Sequence, residues 1–177
     1  MKLRSIFPAV ALGCGIFAAG NAHAEAPSLR ATALGGVERT DSAPGTGAVN
    51  GAYYGVQVGA DWSLGPVLVG IEGEIGDSSA SALLPGNRAR QGRFANAAVR
   101  VAVPVAPGLR GFVRGGYAYH RIDYDTGPDF SSGGYTLGGG AELDVLPRLF
   151  LRAEYRYSDY GQTVRGQHFL GGIGIKF

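Results

Sequence analysis

The sequence predicts a closed antiparallel β-barrel of eight strands that crosses a lipid bilayer, and three observations predict it. Segments of about ten residues recur in which apolar side chains take every second position, the period of a strand. The connections between segments alternate between tight and long. The charged residues inside the segments share one face, while the other is nearly all Val, Ile, Leu, Ala, Gly, Tyr and Phe. A soluble barrel that carries an apolar ligand has those faces reversed, wet outside and greasy within. Here the apolar face must meet hydrocarbon, and a closed barrel satisfies every backbone N–H and C=O there without water.

The chain begins with Lys2 and Arg4, an apolar run from Ile6 to Ala19, and Ala22-His23-Ala24 before Glu25. A charged start, an apolar stretch too short to span and a small-x-small site predict a secretory signal peptide over residues 1–24, leaving a barrel domain over 25–177. Cys14, the single cysteine, falls inside that leader, so the mature domain is expected to hold no disulfide and no thiolate ligand. A lipoprotein signal at Cys14 lacks the usual Leu three residues earlier. No later stretch offers the ~18 apolar residues of a spanning helix. The 31 glycines suit crowded interiors and tight turns. A formal charge of +2, with the basic residues spread along the chain, argues against nucleic acid as a partner.

The first strand is expected over Leu29 to Arg39, with Arg30, Thr32, Leu34, Gly36 and Glu38 inward; residues Thr40 to Asn50 form a polar loop. The second, Ala52 to Trp62, sets Tyr54, Val56, Val58, Ala60 and Trp62 outward, and ends in the turn Ser63-Leu64-Gly65-Pro66. The third, Val67 to Gly76, carries Glu72 and Glu74 inward, and Asp77 to Gln91 is the longest loop. The fourth, Arg93 to Val103, opposes Ala95, Ala97, Val99 and Val101 to Asn96 and Arg100, then turns at Pro104 to Gly108.

The fifth strand, Arg110 to Arg121, places Arg114 and His120 inward against Val113, Tyr117 and Tyr119, and Asp123 to Ser132 is a loop. The sixth, Gly134 to Leu143, sends Glu142 inward and turns on Pro147. In the seventh, Leu149 to Ser158, Leu151, Ala153, Tyr155 and Tyr157 face away from Arg152, Glu154 and Arg156. A one-residue slip would aim those three charges at hydrocarbon, at roughly 2 to 4 kcal/mol for each Arg near the midplane. Aromatics gather near strand ends, Trp62 and Phe177 at one rim and Tyr54, Tyr119, Tyr135 and Tyr157 toward the other, as interface girdles do.

The closing strand, His168 to Phe177, alternates strictly, with Phe169, Gly171, Ile173, Ile175 and Phe177 on one face. With Leu151-Arg152-Ala153-Glu154-Tyr155-Arg156-Tyr157-Ser158-Asp159-Tyr160-Gly161 before it, the chain resembles the small bacterial outer-membrane β-barrel proteins of the porin-like surface-antigen family, with eight-stranded barrels. The resemblance covers the mature chain as architecture, and these two segments as motifs. It implies that Phe169, Ile173, Ile175 and Phe177 form the signal read by the outer-membrane assembly machinery. It also implies short periplasmic turns, four surface loops, both ends of the mature chain in the periplasm, and residence among outer-membrane lipid and lipopolysaccharide.

Inside the barrel, Glu72, Arg100, Arg114, Glu142, Arg152 and Glu154 are expected at one height, with Glu74 and Arg156 forming a second layer. Unpaired charge is costly in a narrow interior, so these groups are expected to pair into a plug that stands where an apolar core would. A proton or ion path would need water and a charge imbalance that the sequence does not show. Arg88, Arg90, Arg93 and Arg121 are placed at the outer rim, where a guanidinium meets lipid A phosphate in a two-pronged fashion.

His120 and His168 are expected inward, away from a lipid substrate, as polar packing. Asp123, Asp125 and Asp129 offer oxygen ligands for Ca²⁺, without the spacing of an EF-hand loop. No cofactor and no enzyme activity are expected. The expected role is structural or surface-interactive, in envelope integrity or adhesion, with a host or surface ligand met through the loops. A small porin, a lipid-modifying enzyme and a haem-binding surface protein are the alternatives.

Overall fold

The computed structural model describes residues 26–41, 48–79, 81–84, 87–124, 130–160 and 165–177. Its elements are all strands: β1 (Ser28–Asp41), β2 (Ala48–Leu64), β3 (Val67–Ser78), β4 (Ser81–Leu84), β5 (Asn87–Ala106), β6 (Leu109–Tyr124), β7 (Phe130–Leu146), β8 (Leu149–Asp159) and β9 (Arg165–Lys176). Every pairing is antiparallel between neighbours, and β9 returns to pair with β1, so the sheet closes. The closed ring has eight staves, because β4 prolongs β3. Gly76 lies opposite Phe94 and Ser81 opposite Arg90, so β3 and β4 spend one residue more than β5 over that interval, a bulge within one stave.

The strands run further than alternation alone predicts. The expected loop Asp77 to Gln91 contains β4 and the start of β5, and the expected loop Asp123 to Ser132 contains the end of β6 and the start of β7. The cause lies in what makes a strand legible. Above the bilayer the outward face no longer meets hydrocarbon, so apolar alternation lapses while the backbone ladder continues.

Two-residue turns join β2 to β3, β5 to β6 and β7 to β8, with Leu64 paired to Val67, Ala106 to Leu109 and Leu146 to Leu149. Gly65 and Gly108 take φ of 65° and 75° there, the left-handed region that such tight hairpins demand and glycine enters freely.

Register fixes the bore. Stepping from Arg30 across successive partners Gly59, Glu72, Ala98, Gly116, Thr136, Ser158 and Gly166 returns to β1 at Thr40, ten residues higher. For eight strands that stagger tilts them about 40° from the axis and sets a backbone radius of ~8 Å. A lumen of that width is spanned by two side chains.

The faces separate as the alternation requires. Outward lie Val56, Ile71, Ile75, Val99, Val113, Leu137, Ile173 and Ile175, all open to the surroundings. Inward, Arg100, Glu142, Arg152 and Arg156 are buried. Apolar side chains bracket the charges. Tyr53, Phe94, Ala118, Tyr160 and Leu170 pack together toward the loop end, with the Tyr53 and Phe94 rings edge to face at 5.7 Å. Phe112 and Phe150, both buried, lie toward the turn end.

Candidate functional site

The site is the filled lumen. All eight charged residues named for the interior are buried, carried by β3, β5, β6, β7 and β8. Arg100 grips Glu142 with two parallel bonds, Nη1 to Oε1 at 2.8 Å and Nη2 to Oε2 at 2.9 Å. Arg152 donates to Glu142 at 2.9 Å, to Glu72 at 3.1 Å and to Glu154 at 2.7 Å. Arg114 reaches Glu72 and Glu74, each at 3.1 Å, and donates to Asn96. One layer up, Arg156 donates two bonds of 2.8 Å to Glu74 and one of 2.9 Å to Glu154. Such forked, charge-assisted bonds are the strong kind, and they offset desolvation only when nearly every donor finds an acceptor.

Two further charges complete the set. Arg30 on β1 donates to Glu142 at 2.8 Å and to Glu72, and Asp61 on β2 lies 3.5 Å from Arg30 and 3.7 Å from Arg100. Among the described residues the network therefore joins Arg30, Arg100, Arg114, Arg152 and Arg156 to Asp61, Glu72, Glu74, Glu142 and Glu154, a balance of cations and anions. Neutral groups add donors to Glu74: the Tyr53 hydroxyl donates at 2.5 Å and Gln57 at 3.1 Å. The Arg152 guanidinium also stacks 4.0 Å from the Phe112 ring centre, with Arg100 at 5.2 Å from the same ring.

Arg30 and Asp61 fall outside the sequence-based set although alternation points both inward; Asp61, level with Gly70 across the two-residue turn, is within reach of the pattern, and Arg30 is not. A two-residue turn fixes the β2–β3 register, whereas β1 meets β2 across residues 42–47 and meets β9 only by closure of the ring. Height on β1 is thus unreadable until the barrel is built.

Above the plug, His168 is buried, 3.5 Å from Glu38 and packed on Tyr53 and Phe94. Thr40 donates to the same Glu38 at 2.9 Å. Below it, Arg110 donates to both oxygens of Asp144 at 2.8 Å, and Lys176 pairs with that carboxylate. Phe169, Ile173, Ile175 and Phe177 all point outward; Phe169 lies 4.9 Å from the Tyr155 ring, and the Phe177 N–H donates to the Leu29 carbonyl at 2.9 Å across the closing seam. Arg93 is exposed in the outer half of β5. The side chains of Arg88, Arg90, Arg121, His120 and Asp123, with the whole of Asp125 and Asp129, lie outside the described residues.

A closed eight-stave barrel with an apolar exterior and a charge-filled lumen is a membrane-spanning β-barrel protein. The chain belongs to the outer membrane protein beta-barrel domain family, whose model matches residues 9–177. Its localisation is the cell outer membrane.

It is 30% identical over 126 residues to the 25 kDa outer-membrane immunogenic protein of Brucella ovis, covering 70% of this chain and 62% of that protein. It is 29% identical over 143 residues to the 22 kDa outer membrane protein of Rhizobium leguminosarum bv. viciae, covering 70% and 66%. The chain thus spans less than two thirds of the length of these relatives. In fold it resembles neisserial surface protein A (TM-score 0.63, 18% identity, covering 87% of this chain and 99% of that one). It also resembles Ail of Yersinia pestis, solved with the heparin analogue sucrose octasulfate (TM-score 0.66, 11% identity, covering 86% and 100%).

Proposed function

We propose that this outer-membrane barrel serves a structural and surface-presenting role, without enzymatic chemistry, and that its lumen is closed to solutes by the Arg/Glu network. The observation that carries this reading is the balanced, mutually bonded set of buried charges across a bore that two side chains fill. The two-residue turns face the periplasm, and the longer connections after β1, β4, β6 and β8 face outward, where they meet surface ligands and support envelope integrity or adhesion. Among the described cations near the outer rim, Arg39 lies 3.6 Å from Asp41 and Arg165 stands opposite Asp159 in the ladder, while Arg93 is exposed.

Conductance tests this reading. Purified protein in a planar bilayer at neutral pH is expected to give no stable, uniform single-channel steps. Steady steps that change size in Arg152→Ala would show that the network gates an open pore and would reverse the assignment.

A further inference from the structure

The lipid-facing wall is not evenly covered. On the outer face of β3 and β5, Ala95 sits between Ile75 on one side and Tyr119 on the other. One step nearer the rim, Tyr54 stands beside Asp77. The short alanine side chain between tall neighbours leaves a groove of about 580 Å³, walled by Tyr54 and Tyr119 and reaching Arg93 at its outer end. Further down the same stave Gly73 lies opposite Ala97, and a side chain built at Gly73 would meet open space. The floor of small residues therefore continues toward the midplane.

Two features give this groove an occupant. Its walls are apolar and aromatic, and it lies within the hydrocarbon belt, where acyl chains are the available solute. Its rim end carries Arg93, exposed and bonded to no other described residue. The carboxylate at that end, Asp77, accepts a hydrogen bond from the Ser78 N–H at 2.8 Å.

A second groove, about 410 Å³, crosses β1 over Ala31 and Ala33 between Val56, Val58 and Ile173, and no charged side chain lines it. The cation distinguishes the first.

We propose that the groove between Tyr54 and Tyr119 seats one acyl chain of a phosphorylated glycolipid of the outer leaflet, lipid A, with Arg93 holding its phosphate. A guanidinium suits a phosphate through parallel N–H donors, and a flat alanine floor flanked by rings suits a saturated chain better than a uniformly rough wall does. The assignment rests on the longer connections facing outward, since only then does Arg93 meet the outer leaflet.

The test is native mass spectrometry of the full chain refolded in detergent and titrated with bisphosphorylated lipid A, with dephosphorylated lipid A and with phosphatidylglycerol. Ala95→Phe fills the groove from the lipid side and is expected to lower lipid A affinity about tenfold, with the heat-modifiable folded fraction unchanged; Ala33→Leu, in the uncharged groove, is expected to change neither. Arg93→Gln is expected to lower affinity about tenfold for the bisphosphorylated lipid and to leave the dephosphorylated lipid unaffected.

Equal binding by the wild-type and Ala95→Phe proteins would overturn the slot, as would equal affinity for phosphatidylglycerol. Should Ala95→Phe not fold, nuclear Overhauser contacts between the Ala95 methyl and the acyl chain in the wild-type protein decide, and their absence at saturating lipid overturns the slot too. Arg93→Cys on intact cells separates the two readings. Labelling by an impermeant maleimide without lipid selectivity removes the slot alone, whereas no labelling removes the outward orientation on which it rests.

Discussion

Val99 and Arg100 are neighbours in the chain and inhabit opposite worlds. Val99, midway along the outward face of β5, is 54% exposed, while Arg100 is 1% exposed and its guanidinium is clamped on Glu142. The same contrast repeats at Leu151 and Arg152. A water-soluble barrel buries the valine and wets the arginine. The reversal shows that an interior is defined by what lies outside it: with hydrocarbon as the surrounding solvent, burying more apolar surface gains little, and the polar groups gather where they can bond one another. Specificity then comes from the geometry of bonds across the lumen, and the outer face needs only to be apolar.

The largest expected effect comes from unbalancing the inner face. Arg156→Met removes from Glu74 and Glu154 one of the cations they share and should cost ~3 to 5 kcal/mol, read as a lowered urea midpoint for protein folded into lipid vesicles. Loss below ~1 kcal/mol would mean that water reaches those carboxylates and that the interior is not a core. Next comes charging the outer face. Val99→Arg moves a guanidinium one residue along the chain from where it belongs and should cost about 2 to 4 kcal/mol at the middle of the belt. A negligible cost in that assay would place Val99 away from hydrocarbon.

Volume separates the faces more gently. A Cβ at Gly174, which faces inward, would run into the Phe150 ring, so Gly174→Val should cost roughly 1 to 3 kcal/mol, with much of it recovered by adding Phe150→Leu. Outward, Val113→Leu extends into fluid lipid and should shift stability by no more than about 0.5 kcal/mol. Equal responses at Gly174 and Val113 would erase the distinction between a packed side and a free one.

This polarity explains what could be read from the chain alone. Wherever a strand separates hydrocarbon from lumen, alternation assigns each side chain a face, and Glu72, Arg114, Glu142 and Arg152 are legible for that reason. Beyond the bilayer the constraint lapses, so β4 and the upper ends of β5, β6 and β7 leave no alternating trace; the Pro85-Gly86 pair, a turn signal between β4 and β5, was the remaining hint.

Heights across a two-residue turn are also readable, which brings Glu72 level with Gly59. Heights across a longer connection are not, so the place of Arg30 in the network is not legible from the chain alone. The bore itself is a property of the closed ring, since the ten-residue stagger exists only once β9 has met β1.

The central claim is that the Arg/Glu network is the core of this protein, and a double-mutant cycle on Arg156 and Glu74 addresses it most directly. Arg156→Met, Glu74→Gln and the pair together are folded into vesicles, and their unfolding free energies are compared. If the two are bonded in a dry lumen, the single substitutions are each strongly destabilising and the double is far milder than their sum, with a coupling of about 1.5 to 3 kcal/mol. Additive losses, with coupling below ~0.5 kcal/mol, would contradict the account, because they would show two charges solvated independently inside an open channel.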